Sequence, residues 1–202
     1  MTIDISMYIR ENVFSIIVVN PLTGPILVAT GYASRSSVAD AYVVETDNPA
    51  DKPCNLPPYP FKMSRGTGAV INEKMIICGG LLTPRFDPAL GLYVQEETPS
   101  CYFFDPKLYS WQLLANMSSA RYWHSSAPFN GGLWVTGGRA PPPANVGGRF
   151  ITLDTTEIVY PNGSVIEGPK LPFQLKNHCM VTLTDGRIMF IGGSGHYLGE
   201  KR

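Results

Sequence analysis

The 202-residue sequence predicts an all-β fold assembled from repeated small sheets, and three observations carry that expectation. Glycine (20) and proline (18) divide the chain into many short apolar runs, the pattern of strands separated by turns. No run approaches the ~18 apolar residues of a membrane-spanning helix. An apolar–turn–apolar unit closing on paired glycines recurs about every fifty residues, the mark of a repeat architecture.

Four copies of that unit can be aligned. VFSIIVVNPLTGPILVATGY covers 13–32, RGTGAVINEKMIICGG 65–80, HSSAPFNGGLWVTGG 124–138 and HCMVTLTDGRIMFIGG 178–193. Their last glycines are Gly31, Gly80, Gly138 and Gly193, in steps of 49, 58 and 55 residues. Asn72, Asn130 and Asp185 each stand seven residues before the first glycine of the pairs Gly79-Gly80, Gly137-Gly138 and Gly192-Gly193, so turn and doublet share a register. Glycine packs nothing and weakens a ladder, so a paired glycine implies a close backbone approach at a sheet junction. The first copy follows Asp4 and Glu11, which reads as a strand and not a signal peptide.

The doublet strands (25–30, 74–78, 132–136 and 187–191) are expected to be innermost, followed by second strands at 40–45, 100–104 and 155–160. Third strands are expected at 59–63, 109–115 and 163–166, and outer strands at 13–19, 66–71, 123–129 and 178–184. Repeat units then run about 24–72, 73–130 and 131–185, with partial strands at 12–20 and 186–195. Alternation of apolar and polar residues is weak, as for sheets covered on both faces.

The best unit carries Gly79-Gly80, an aromatic–Asp–Pro step at Phe104-Asp105-Pro106, and Trp111 six residues after the aspartate. In these residues the chain resembles the kelch-repeat β-propellers of the galactose oxidase/kelch-like group. The resemblance extends by pattern over residues 12–195. The next unit keeps Gly137-Gly138 but has Val165 near the tryptophan position, and the first keeps only Gly31. It implies a single propeller segment over 1–202, with three complete four-stranded blades and partial strands at both ends. Closed propellers need roughly 4–8 blades, so the expectation is a piece of a larger propeller.

Candidate chemistry is sparse. Lys+Arg and Asp+Glu balance at 16 each, which gives no basis for a nucleic-acid footprint or a membrane patch. Cys54, Cys78, Cys101 and Cys179 have no metal-site spacing and read as reduced thiols, with a Cys78–Cys101 bridge between neighbouring strands left open. His124 and His178 occupy nearly equivalent repeat positions and read as structural, as does Asp105 in its turn. No metal and no cofactor is expected.

The long connections after the doublets share one face of the expected array. They hold Arg35, Arg85, Phe86, Tyr93, Arg139, Arg149 and Phe150, and arginine with aromatics on rigidly held loops is the composition of a binding surface. The resemblance implies a non-catalytic module that binds another protein or peptide segment; the unclustered cysteines, read as reduced thiols, point to the cytoplasm, with an extracellular location as the alternative. Self-association through exposed blade edges is a further expectation. The alternatives are an enzyme on the same scaffold and a truncated fragment without its own function.

Overall fold

The computed structural model describes residues 16–19, 26–33, 36–44, 53–142 and 150–197. These residues form strands and turns in three sheets and a closing hairpin, with small accessory pairs between them. The first sheet runs through β1 (Ile16–Val19), β2 (Ile26–Ala33) and β3 (Ser36–Val44), with β4 (Cys54–Leu56) and β5 (Met63–Ser64) pairing onto β3. The second holds β6 (Thr67–Ile71) and β7 (Lys74–Cys78). After the accessory strands β8 (Leu81–Leu82), β9 (Arg85–Asp87) and β10 (Leu92–Val94), it is completed by β11 (Ser100–Asp105) and β12 (Ser110–Asn116). The third contains β13 (Ser125–Phe129) and β14 (Gly132–Thr136), then accessory β15 (Arg139–Ala140) and β16 (Ile151–Thr152), then β17 (Thr156–Val159) and β18 (Val165–Glu167). A last hairpin pairs β19 (Phe173–Thr182) with β20 (Ile188–Tyr197).

The turns explain the hairpins. Asn72 (φ 46°) and Glu73 (φ 65°) occupy the left-handed region between β6 and β7, and Asn130 (φ 47°) with Gly131 (φ 73°) does the same between β13 and β14. Two such residues in succession form the turn whose twist matches paired strands. At the end of β11, Asp105 Oδ1 accepts from the backbone amides of Lys107 (2.8 Å) and Leu108 (3.2 Å), so this carboxylate shapes a turn.

Strand order corrects the expected roles. The second sheet reads β12-β11-β7-β6 and the third β13-β14-β17-β18, so each doublet strand is second and the strand before it lies at the sheet edge. That edge is the inner one: β6 packs against both β1 and β13, and β13 against β19. Thr67 Oγ1 and Ser126 Oγ, on β6 and β13, lie 2.9 Å apart. The predicted outer strands are therefore innermost. The asparagine turns hold each to the doublet strand of its own sheet, which the expected boundaries at 72/73 and 130/131 had separated. Residues 32–40, expected as a long connection, fall mainly in β2 and β3, and Gly31 lies inside β2 at a bulge.

The second and third sheets are buried on both faces. Along β7, Ile77 packs toward the first sheet with Leu27, Met63, Phe104 and Trp111, while Ile76 and Cys78 pack toward the third with Leu133, Val135 and Val159. Trp134 on β14 faces Met180 of the last hairpin. The core is thus a series of layers between sheets, which removes the polar face that alternation would need. Trp111 also crosses a junction, donating its indole N–H to the carbonyl of Pro57 at 2.9 Å.

The doublets sit where the backbone crosses them. A Cβ on Gly79 would lie 2.6 Å from His124 Cε1 and 2.7 Å from the Arg121 carbonyl, and one on Gly138 would lie 2.8 Å from the Tyr122 carbonyl. Both glycines have positive φ, 64° and 93°. Gly80 N–H donates to the Arg121 carbonyl and Gly138 N–H to that of Leu175, each at 2.8 Å. Gly79-Gly80 and Gly137-Gly138 are therefore wedged between the segments that lead into their own inner strand and the next one, whereas Gly193 meets only its own hairpin and Gly192 faces open space.

Arg121 locks one such junction. Fully buried, it donates to Glu157 Oε1 at 2.6 Å and to the carbonyls of Gly137 and Thr155 at 3.0 Å each, while Glu157 Oε2 accepts from the Ser118 amide at 2.7 Å. Burial lowers the Arg121 pKa, and Glu157 opposes that shift. Cys78 and Cys101, directly opposite on β7 and β11, form a disulfide with their Cα atoms 4.0 Å apart, which corrects the expectation of four reduced thiols. Cys54 and Cys179 are free and exposed.

Two expectations follow. Arg121→Met and Glu157→Leu should each destabilise by about 3–5 kcal/mol in chemical denaturation, because each strands a buried partner. The double change Arg121→Met/Glu157→Leu should recover most of that loss; a double variant as unstable as the sum of the singles would refute the pairing. Differential alkylation should find free thiols only at Cys54 and Cys179, and reduction should cost about 3 kcal/mol for a loop of this length.

Candidate functional site

The accessory strands build a cavity from residues far apart in sequence. Arg139 pairs by both backbone groups with Tyr122 (2.7 and 3.0 Å) and stands opposite Thr152 in the β15–β16 pair. Its guanidinium carbon lies 3.6 Å from the Phe150 ring centroid and 4.8 Å from that of Trp123. Arg65 lies 4.7 Å from the same indole. Cation–π contact with two rings holds the guanidinium in place.

From the other side, β19 contributes Gln174 and Lys176 and β20 contributes Ser194. Together with Arg139, Phe150 and Thr152 these residues line a cavity of about 380 Å³. Lys176 Nζ donates to Ser194 Oγ at 2.7 Å. The lining has two cations and no carboxylate. It can hold an anion or polar group between a fixed guanidinium and an ammonium, against the Phe150 ring.

The predicted surface residues separate. Arg139 and Phe150 meet in this cavity. Arg85, Phe86 and Tyr93 sit instead on the exposed β9–β10 hairpin, where Phe86 and Tyr93 are cross-strand partners in edge contact at 5.5 Å. Arg85 is bound to Glu96 at 2.8 Å, with both side chains more than half exposed, and the Glu96 hydrogen bond raises its pKa. Arg35 and Arg149 lie outside the described residues. Sequence reading missed Trp123, Thr152, Gln174, Lys176 and Ser194. Recognising β19 as an inner strand beginning at Phe173, before the repeat signal at His178, would have brought in Gln174 and Lys176.

The two histidines are engaged structurally. His124 donates through Nε2 to the Cys78 carbonyl at 3.1 Å; His178 Nε2 lies 2.8 Å from Thr136 Oγ1, and its ring stacks on Phe190. Burial, with Arg121 nearby, lowers the His124 pKa to about 3, and burial lowers that of His178 to about 4. Among the described residues no group of three or more His, Cys, Asp or Glu side chains is placed to hold a metal ion.

The chain is 27% identical over 168 residues to the human Kelch repeat and BTB domain-containing protein 12. Its fold is that of a kelch-type β-propeller. The kelch-type propeller YjhT superimposes with a TM-score of 0.66 at 13% identity, over 85% of this chain and 55% of that one. The match to the human protein takes in 78% of this chain and a quarter of the relative's length. No family model matches. The expected kelch-type, all-β architecture stands, with strand roles revised as described.

Both buried histidines titrate below their ordinary value near 6.5, so between pH 6.5 and about 4 the unfolded chain binds protons that the folded chain refuses. Stability should be complete above pH 6.5 and fall by about 1 kcal/mol per pH unit for each ring as the pH drops through this window. Denaturation midpoints at pH 7, 6, 5 and 4.5 check this; His178→Gln should flatten the slope, and an unchanged slope would refute it.

Proposed function

We propose that this kelch-type segment serves as a non-catalytic interaction module that binds a protein segment on the face bearing the β9–β10 and β15–β16 hairpins. The observation carrying the reading is the cavity around Arg139: a guanidinium clamped by two aromatic rings, beside Lys176, on accessory strands anchored to a layered scaffold. Fixed arginine with aromatics is the composition of interaction hot spots, because little side-chain freedom remains to be lost on binding. The Phe86–Tyr93 pair on the neighbouring exposed hairpin offers a second apolar contact. The human relative, named for kelch repeats and a BTB domain, is in keeping with recruitment as the task.

Compartment follows from chemistry in this reading. Buried disulfides persist in oxidising surroundings, so the Cys78–Cys101 bridge favours such a compartment over the cytoplasm that composition suggests.

Affinity capture with wild type, Arg139→Ala and Arg85→Ala as baits tests the module. Arg139→Ala should lose a defined set of partners by quantitative mass spectrometry, whereas Arg85→Ala, whose charge is already paired with Glu96, should retain most of them. Identical partner sets for wild type and Arg139→Ala would remove the cavity from the binding surface.

A further inference from the structure

We propose that the cavity between β15–β16 and β19–β20 receives a carboxylate side chain of the bound segment, with Arg139 as its principal partner and Lys176 as the second cation. The inference rests on the protein-binding reading above and names the chemistry that the site selects.

Arg85, Arg121 and Arg187 are each paired with a carboxylate of this chain, Glu96, Glu157 and Asp185. Arg139 makes no ion pair among the described residues, and its buried Nε has no hydrogen-bond partner there. A desolvated guanidinium nitrogen without an acceptor carries a cost that a bound anion removes. Lys176 likewise has no carboxylate partner there; its ammonium meets only Ser194 Oγ.

Shape narrows the ligand. Backbone pairing with Tyr122 and the flanking Trp123 and Phe150 rings fix the guanidinium before anything binds. A planar fork held in this way matches a planar carboxylate through two parallel N–H···O bonds. Lys176 is already engaged by Ser194, so the unpaired fork of Arg139 is the main anion receptor. A volume of about 380 Å³ is at the small end for ligand sites and suits one acidic side chain with the backbone beside it. Thr152 and Gln174 add neutral polar groups to the lining.

A phage-displayed random dodecapeptide library, selected on the immobilised full chain, supplies the probe. The strongest binder is then synthesised with each acidic residue replaced in turn by its amide or by phosphoserine. One acid-to-amide change is expected to weaken binding about tenfold or more, as is Arg139→Ala. The two combined should lose little beyond either alone, the signature of a direct pair. Lys176→Gln should weaken the same peptide and no amide version of it, which keeps the inference testable if Arg139→Ala does not fold. Binders without acidic residues, or indifferent to both substitutions, would overturn the carboxylate assignment and leave the interaction module standing. Tighter binding of the phosphoserine peptide would overturn it in favour of phosphate. A library that yields no binder would overturn both readings.

Discussion

The structure depends on the crossing of backbone over backbone at each sheet junction. Arg65, Trp123 and Asn177 share left-handed φ values of 63°, 56° and 54°, and they form a hydrogen-bonded chain. Trp123 N–H donates to the Arg65 carbonyl at 3.0 Å and Asn177 N–H to the Trp123 carbonyl at 2.9 Å. Beside this chain, Gly80 and Gly138 donate to the carbonyls of Arg121 and Leu175, in the segments leading into the next inner strands. No room is left there for a Cβ, which is why glycine is paired at Gly79-Gly80 and Gly137-Gly138. The same contacts set the separation of neighbouring sheets, and the separation sets how much apolar surface their facing layers bury.

Electrostatic roles divide along the same geometry. Arg121 is enclosed at a junction and donates through its two terminal nitrogens to Glu157 and to the carbonyls of Gly137 and Thr155, so it holds sheets together. Arg139 lies eighteen residues later, beyond the doublet, and reaches aromatic rings instead of a carboxylate. One residue type thus meets a carboxylate in one place and aromatic rings in the other. The difference is whether the fold supplies the counter-charge. The last hairpin adds a further surface: Val181, Met189 and Ile191 are exposed there at 44–48% each, on strands that face no further sheet among the described residues.

Some of this architecture was readable from the chain. The turn residues Asn72, Asn130 and Asp105, the doublets, and Trp111 after its Asp–Pro step are short-range signals, each specified by a few neighbouring residues. The site was half legible: Arg139 and Phe150 stood out in a long connection, while Gln174, Lys176 and Ser194 sat in an unremarked strand and tail. The inversion of inner and outer strands has a clear cause. Close approach was expected at the centre, whereas it occurs where a connecting segment passes over the end of the second strand.

By itself, then, the sequence determined the all-β class, the repeat and its turns, because hairpin geometry is set by backbone preferences within a few residues. Only the tertiary structure decided which edge of each sheet faces inward, that Cys78 meets Cys101, that Arg121 finds Glu157, and that Arg139 is clamped opposite Lys176 without a carboxylate. These are meetings of residues 23 to 37 positions apart, and no local pattern encodes them. They follow from how sheets stack and which side chains the shared layers then bring together.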